Sequence, residues 1–286
     1  MKIGFLGTGL MGKPLVERLL SANFSVVAYN RTESKLSPLR DGGVAIASSP
    51  AEVIEASDCI ILMLTDASAI EQVLFSDSCQ PKLKNRTIIQ MGTIAPAESV
   101  AICDRIIAAG GEYLEAPVLG SIPEAQTGKL IVMVGASPAQ FAQWRSLLQN
   151  FSPEPRLIGP VGTAAAIKLA LNQLIASLTT TFALSLGFVQ KEGVEVETFM
   201  EILRQSALYA PTFDKKLSRM LDENYDNPNF PTKHLLKDTN LFLAEAKSLG
   251  LNVSSLEGVK QILEIAQQMG LAELDYSALF SAVKKS

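Results

Sequence analysis

A glycine pattern close to the first residue constrains this chain more than any other feature. Gly7, Gly9 and Gly12 follow a short apolar run at Lys2 to Leu6 and precede an amphipathic segment. Glycines at this spacing between a strand and a helix are typical of a phosphate-binding turn. The glycines permit a tight turn, a close approach of the pyrophosphate and tight packing of the helix against the strand. The remaining positions of the turn are Thr8, Leu10 and Met11. An ordinary strand-to-helix turn is the alternative.

The first half of the chain alternates short apolar runs with longer amphipathic ones, which predicts a parallel sheet with crossover helices. The predicted strands are Lys2 to Leu6, Ser25 to Tyr29, Cys59 to Leu64, Thr87 to Gln90, Tyr113 to Glu115 and Leu130 to Val134. The predicted helices are Leu10 to Ala22, Pro50 to Ala56, Ala67 to Phe75 and Pro96 to Ala109. We therefore expect an α/β fold with a doubly wound sheet over residues 1–161.

Residues 151–162 are rich in proline and glycine, which favours a domain boundary and a hinge. Beyond them, Thr163 to Gln190 predicts one long helix that is apolar nearly all round. Such a helix must be covered by other helices or by a second subunit. We therefore expect an all-α domain over residues 162–286, built on this interdomain helix, and an oligomer.

Charge and cysteine content narrow the function further. The net charge is -4 and the basic residues are dispersed, so neither nucleic acid nor an anionic membrane is an expected partner. The 3 cysteines form no C-x-x-C pair, which argues against a disulfide framework and a zinc site. We also find no targeting segment and no uninterrupted apolar run of about 18 residues. A cytoplasmic protein without a metal is the expectation.

The residues after the second predicted strand bear on the choice of cofactor. A dinucleotide-binding turn that takes NAD places Asp or Glu there, on the ribose 2′-hydroxyl. This chain has Asn30, Arg31 and Thr32 instead, and Lys35 follows closely. Charge-assisted donors of this kind suit a 2′-phosphate. The sequence therefore predicts NADP(H) as the cofactor, with a solvated basic turn as the alternative.

Carbonyl reduction by NADPH needs a proton donor, and Lys168 is the leading candidate. The chain has 1 histidine, His234, in a polar segment that favours a surface or supporting position. Lys168 lies near the start of the long apolar helix, where desolvation would lower its pKa. Asn172 follows four residues later on the same helical face. The alternative is that Lys168 extends its amine to water.

A second candidate cluster is Leu119, Gly120 and Ser121, in a loop after a predicted strand. Backbone N–H groups at Gly120 and Ser121, with the Ser121 hydroxyl, could hold a substrate carboxylate, although a plain turn is the alternative. Thr93 follows another strand, at the edge where ligands of such sheets bind. Lys237 and Asp238, taken alone, are typical of solvated helix charges.

Four ordered motifs together resemble the β-hydroxyacid dehydrogenase family over essentially the whole chain. They are G-F-L-G-T-G-L-M-G, E-A-P-V-L-G-S, G-T-A-A-A-I-K-L-A-L-N and K-H-L-L-K-D. The resemblance implies a Rossmann domain, a catalytic Lys168 and a substrate-binding Asn172. It also implies that Thr93 and Lys237 contact the nicotinamide part of the cofactor, and that the protein is a homodimer or homotetramer assembled through the long helix. The residues it implies along the cofactor's path are Met63, Leu64 and Thr65.

The motifs look most like the glyoxylate/succinic semialdehyde reductase branch of that family. On that branch Phe230 and Asp238 also line the substrate site. One departure is Leu119, where the family usually has Ser, so one hydroxyl donor to the substrate is missing. We therefore expect reduction of small aldehyde acids. A 3-hydroxyisobutyrate-type or tartronate semialdehyde-type dehydrogenase is the alternative enzyme, and an NADPH-sensing interaction module is the alternative without catalysis.

Overall fold

The structure is a computed structural model that describes residues 1–284 of the chain. It divides into two compact units, one formed by Met1–Lys168 and the other beginning at Leu169. The sequence boundary at 161/162 therefore lies slightly before the division seen in the structure.

The first unit is built on a sheet of nine strands. The strands are β1 Lys2–Leu6, β2 Ser25–Tyr29, β3 Ala45–Ile46, β4 Cys59–Leu62, β5 Thr87–Gln90, β6 Glu112–Glu115, β7 Val118–Leu119, β8 Ile131–Gly135 and β9 Arg156–Gly159. Their order is β3-β2-β1-β4-β5-β6-β8-β7, and β9 pairs with β8. The strands from β3 to β6 are parallel, while β8 runs antiparallel to β6. The predicted doubly wound sheet is confirmed.

Alternation along the central strands explains why helices cover both faces. Ile3 and Phe5 of β1 belong to one buried apolar cluster, and Leu6 belongs to another. Similarly, Ile61 of β4 lies in the first cluster, whereas its neighbour Ile60 lies in the second. Successive side chains of a strand point to opposite faces, so a strand that is apolar throughout must be buried on both sides.

The helices of the first unit connect these strands. They are α1 Gly12–Ser21, α2 Ser37–Asp41, α3 Pro50–Glu55, α4 Ala67–Leu74, α5 Pro96–Ala108, α6 Ile122–Thr127 and α7 Pro138–Leu148, and α8 Thr163–Lys191 continues into the second unit. Short 3₁₀ helices lie at Glu33–Lys35 and Gln80–Leu83. The predicted helices are present with ends shifted by one or two residues, whereas α2, α6 and α7 were not predicted.

The segment predicted as a hinge is partly ordered as a strand. Within residues 151–162, β9 pairs with β8 in parallel, so this stretch adds an edge strand to the sheet. The sequence did not indicate β9, because proline is tolerated beside an edge strand, where one row of backbone groups needs no partner. Only the residues after Gly159 remain as a connection to α8.

The second unit is helical. Its helices are the remainder of α8, then α9 Val196–Gln205, α10 Pro211–Leu221, α11 Thr232–Ser248, α12 Ser254–Gln268 and α13 Leu279–Lys284, with a 3₁₀ helix at Tyr276–Ala278. Two buried clusters hold it together, one containing Ala176 and Leu235 and the other containing Phe182 and Met200. The predicted all-α character of this half is confirmed for the described residues.

The long helix α8 is less covered than its composition suggested. An exposed apolar stripe runs along it, made of Ile167, Leu174, Leu178, Leu184 and Phe188.

By length and composition α8 could cross a membrane, and 44% of its most apolar window is buried inside the protein. A core helix of a globular protein passes the same test, so this is weak evidence for membrane insertion.

Candidate active site

The glycine turn has the geometry that a bound pyrophosphate requires. Gly7 has a φ of 101°, and a Cβ there would lie 2.3 Å from the Met63 carbonyl oxygen. A Cβ on Gly12 would lie 1.9 Å from the carbonyl oxygen of Gly7. Around Gly9, in contrast, an added Cβ would meet no atom within 4 Å. Two glycines are therefore needed for the turn itself, and the third leaves space at the start of α1.

The start of α1 is also suited to an anion. Met11 at the N-cap makes no side-chain capping hydrogen bond, and the first turn contains no acidic residue. The first N–H groups of a helix have no partner within the helix and attract an anion. The hydroxyl of Thr8 is buried and has no hydrogen-bond partner. These features fit a dinucleotide phosphate group.

Asn30 connects this turn to the basic segment after β2. Its Oδ1 accepts a hydrogen bond from the N–H of Thr8 at 3.3 Å, and its Nδ2 donates to the Thr32 carbonyl at 3.0 Å. Arg31, Thr32 and Lys35 are exposed, so their donors face solvent. The structure thus brings Asn30 to the glycine turn, where an acidic residue would otherwise meet a ribose.

Other predicted cofactor residues lie after β4 and β5. Met63 donates its backbone N–H to the Leu6 carbonyl at 2.9 Å, which places it beside the end of β1. Leu64 is partly buried, and Thr65 is exposed. Past β5, the Gln90 side chain bonds both the N–H and the carbonyl of Gly92, which fixes the turn that leads to Thr93. All of these segments leave carboxyl ends of neighbouring parallel strands, where ligands of such sheets bind.

The loop at residues 119–121 differs from the sequence expectation in one respect. The Ser121 N–H, predicted to hold a substrate carboxylate, donates instead to Oε2 of Glu124 at 2.8 Å as α6 begins. The Ser121 hydroxyl is buried without a partner. Leu119 is partly buried, and Gly120 is exposed with a φ of 132°. At Ser121, the hydroxyl rather than the amide is therefore free to bind a ligand.

In the second unit, Asn172 and Asp238 form a buried pair. Each is only 2% exposed, and Asn172 Nδ2 donates to Asp238 Oδ2 at 2.6 Å. The Lys237 ammonium lies 2.7 Å from Asp238 Oδ1. Lys237 and Asp238 were expected to resemble solvated charges on composition alone, but Asp238 is buried because α11 packs in the helical core. Asn172 keeps a buried Oδ1 without a hydrogen-bond partner.

The proposed proton donor lies near the amino end of α8. Lys168 is partly buried and is the last residue of the first unit. Asn172 follows it one helical turn later, on the same side of the helix.

Phe230 and His234 flank the start of α11. The Phe230 ring meets Tyr276 edge to face at 6.0 Å between centroids. His234 lies in the first turn of α11, and burial lowers its pKa, with Lys233 and Lys237 adding to the effect. Two surface cavities of about 480 Å³ in this unit are lined by other residues, so neither contains the predicted site.

Sequence reasoning missed two buried ionic groups. Glu115 is 1% exposed, and its carboxylate binds the start of α8. Lys216 and Asp275 form a buried ion pair at 2.8 Å, and the Lys216 ammonium lies 4.2 Å from the Tyr276 ring centroid. An acidic residue at the end of a buried strand was a signal for Glu115. No sequence pattern pointed to the Lys216–Asp275 pair.

Within residues 1–284, no group of three or more His, Cys, Asp or Glu side chains could hold a metal ion.

The glycine turn, the open space at Gly9 and the flanking strands are those of a dinucleotide-binding domain, and comparison with known proteins identifies an oxidoreductase that depends on a nicotinamide cofactor. Residues 2–159 match the family profile described as the NAD-binding domain of 6-phosphogluconate dehydrogenase. Residues 162–283 match the NAD-binding profile of NADP-dependent 3-hydroxyisobutyrate dehydrogenase. The chain belongs to the β-hydroxyacid dehydrogenase family.

Similar proteins cover the whole chain. Glyoxylate/succinic semialdehyde reductase 1 of Arabidopsis thaliana is 33% identical over 100% of this chain and 99% of its own length. The 2-hydroxy-3-oxopropionate reductase of Escherichia coli is 30% identical over 99% of this chain and 97% of its own length. A solved structure of Mycobacterium tuberculosis 3-hydroxyisobutyrate dehydrogenase with L-serine superposes with a TM-score of 0.89, at 20% identity over 99% of both chains. The last likeness concerns the fold alone.

Proposed function

We propose that this β-hydroxyacid dehydrogenase is an NADPH-dependent reductase of small aldehyde acids. Glyoxylate, reduced to glycolate, and succinic semialdehyde, reduced to 4-hydroxybutyrate, are the first candidate substrates. The observation that carries the proposal is Asn172, which is buried, held by Asp238 and left with an unsatisfied carbonyl oxygen one turn after Lys168. Buried acceptors without a partner are rare and often mark a functional site.

The proposed reaction divides its tasks among a few side chains. NADPH, when bound, supplies a hydride to the carbonyl carbon. Lys168 gives the proton from Nζ to the carbonyl oxygen, so that the product is an alcohol. Asn172 helps to bind the substrate through the second hydrogen of its Nδ2, which donates to the reacting oxygen, and the Ser121 hydroxyl hydrogen-bonds the substrate carboxylate. Asp238 holds the Asn172 amide in place.

Substitution at Lys168 tests the catalytic assignment. Lys168→Ala should abolish turnover because no proton donor remains, and NADPH binding should persist because the glycine turn is unchanged. Lys191→Ala is a matched control, since Lys191 is exposed at the other end of the same helix. Turnover retained by Lys168→Ala would remove this residue from the catalytic role.

The preference for NADPH is supported by Asn30, which stands directly after β2 in place of a carboxylate, and by the exposed donors of Arg31, Thr32 and Lys35. Arg31→Asp should reverse the preference, because a carboxylate repels the 2′-phosphate and accepts from a 2′-hydroxyl. The measurement is kcat/KM with NADPH and with NADH. Arg145→Asp, at an exposed position of α7, controls for the change in net charge. An unchanged preference in Arg31→Asp would contradict the assignment.

The proposed substrates are those named for the two relatives. Absorbance at 340 nm should report NADPH consumption with glyoxylate, succinic semialdehyde, tartronate semialdehyde and methylglyoxal. The first two should have the highest kcat/KM. Methylglyoxal carries no carboxylate, so faster turnover with it would show that the Ser121 loop does not select an acid.

We also propose that the protein is a cytoplasmic homodimer or homotetramer. The exposed apolar stripe of α8 supports self-association, because contiguous apolar surface of this kind usually marks an interface. Analytical ultracentrifugation of the wild type and of Phe188→Glu tests it. Phe188 is 64% exposed, so the substitution should dissociate the oligomer without disturbing the fold.

A further inference from the structure

The Glu115 carboxylate binds the first turn of α8 across the first unit. Its Oε1 accepts hydrogen bonds from the backbone N–H groups of Gly162 at 2.9 Å, Ala164 at 2.9 Å and Ala165 at 3.1 Å. Glu115 ends β6, so one strand end caps a helix that begins about fifty residues later in the chain. Three of the otherwise unpaired N–H groups at this helix start are satisfied by one buried oxygen.

No residue of α8 could do this locally. The first turn of α8 contains no acidic residue. A negative charge near the amino end of a helix stabilises the helix, because that end carries the positive end of the helix dipole. Glu115 supplies that charge from another element. Burial raises the pKa of the Glu115 carboxyl, whereas the hydrogen bonds from Ser99 and from the three N–H groups lower it.

The other carboxylate oxygen is also fixed. The Ser99 hydroxyl donates to Glu115 Oε2 at 2.5 Å and lies 2.8 Å from the Tyr113 hydroxyl. On the opposite side, a Cβ on Gly135 would lie 2.3 Å from Glu115 Oε1, so only glycine leaves room for the carboxylate. The hydrogen bond from Ser99 and the close packing against Gly135 therefore fix the orientation of the Glu115 carboxylate toward α8.

Lys168 depends on the turn that Glu115 caps. In an α-helix, the N–H of residue 168 bonds to the carbonyl of residue 164, so the capped turn and the turn of Lys168 are consecutive. All of these residues belong to the first unit. We infer that Glu115 is a positioning residue, which fixes the first turn of α8 and thereby the placement of the Lys168 ammonium. This inference rests on the proposed catalytic role of Lys168.

The most informative variant is Glu115→Asp, which keeps the charge but withdraws the carboxylate by one methylene. The three N–H groups should lose their partner, and amide hydrogen exchange in residues 162–168 should accelerate in the protein without cofactor. The kcat should fall by about tenfold to a hundredfold, because small displacements of a catalytic group have effects of this size. NADPH affinity and the KM for NADPH should not change, since the glycine turn is untouched.

Glu115→Gln and two further variants complete the experiment. Glu115→Gln retains an oxygen at the position of Oε1, so its kcat should stay close to that of the wild type and well above that of Glu115→Asp. Glu112→Asp makes the same change at the exposed start of β6 and should affect neither exchange nor kcat. If Glu115→Asp does not fold, Ser99→Ala removes one hydrogen bond to the Glu115 carboxylate instead. It should show a smaller acceleration of hydrogen exchange in residues 162–168 and a smaller loss of kcat.

The outcomes separate the inference from the proposed function. If the wild-type protein consumes no NADPH with any of the aldehyde acids, the proposed function fails. If Lys168→Ala retains turnover, the catalytic role of Lys168 fails, whatever Glu115 does. If Lys168→Ala is inactive while Glu115→Asp has wild-type kcat per folded molecule, the positioning role is overturned. Unchanged hydrogen exchange in Glu115→Asp would overturn it as well. With deuterated NADPH, a rise in the kinetic isotope effect on kcat would support the inference, because a misplaced proton donor makes the chemical step rate-limiting.

Discussion

Gly9→Ala separates cofactor binding from folding more sharply than any other substitution in the glycine turn. The added Cβ meets no protein atom within 4 Å, and Gly9 is not among the glycines with a positive φ. The free energy of unfolding of the protein without cofactor should therefore stay within about 1 kcal/mol of wild type, because alanine also loses less chain entropy on folding.

NADPH affinity should respond very differently to the same change. The Cβ would occupy space that the pyrophosphate needs, and a displaced phosphate loses at least one hydrogen bond to a charged group. One such bond is worth about 1.5–3 kcal/mol, which corresponds to a Kd weaker by about tenfold to a hundred and fifty-fold. Isothermal titration calorimetry with NADPH measures this directly, without any assumption about the substrate.

Gly12→Ala is the matched comparison, with the opposite expectation. Its Cβ would lie 1.9 Å from the Gly7 carbonyl oxygen, which is backbone and cannot rotate away. Unfolding in urea should show a loss of about 3 kcal/mol or more. If Gly9→Ala bound NADPH as tightly as the wild type, the cofactor would not approach the turn at this position. If it lost as much stability as Gly12→Ala, the open space around Gly9 would be wrong.

Three further predictions concern the helical unit. Asp275→Asn should lower the free energy of unfolding by about 3–5 kcal/mol, because Lys216 would remain buried with an uncompensated charge, and urea denaturation measures this. Asn172→Ala should lower it by about 1–3 kcal/mol, since the buried Asp238 loses a donor. NMR titration of His234 should give a pKa below about 6.5, the ordinary value for histidine. The unfolded chain then binds more protons just below that pH, so the free energy of unfolding should fall as the pH is lowered through this interval. A His234 pKa at or above the ordinary value would contradict the burial seen here.

Much of the first unit could be predicted from local sequence. β1, β2 and β5 have the bounds that their apolar runs indicated, and α8 extends one residue past the predicted end. These segments are buried by their own composition, so the local pattern is enough. The short strands β3, β7 and β9 were missed because two to four residues at a sheet edge carry no periodicity that a pattern can detect.

The sequence indicated which residues form the candidate site, but not which hydrogen bonds those residues make. The spacing of the glycines located the phosphate-binding turn, and Lys168 was identified from its place on an apolar helix. The Ser121 amide was predicted to meet a substrate, but Glu124 takes its N–H. Competition between a ligand and a helix cap depends on the rotamer of one side chain, which the sequence does not specify.

The sequence by itself determined the kind of protein, because the glycine turn, the strand alternation and the apolar helix are local patterns with local physical causes. Tertiary structure decided which charges are buried and what they hold. Glu115 reaches a residue 47 positions away, Lys216 one 59 positions away and Asn172 one 66 positions away. Partners at such separations are chosen by the packing of strands and helices, and in the low-dielectric interior each charge is stable only beside its partner.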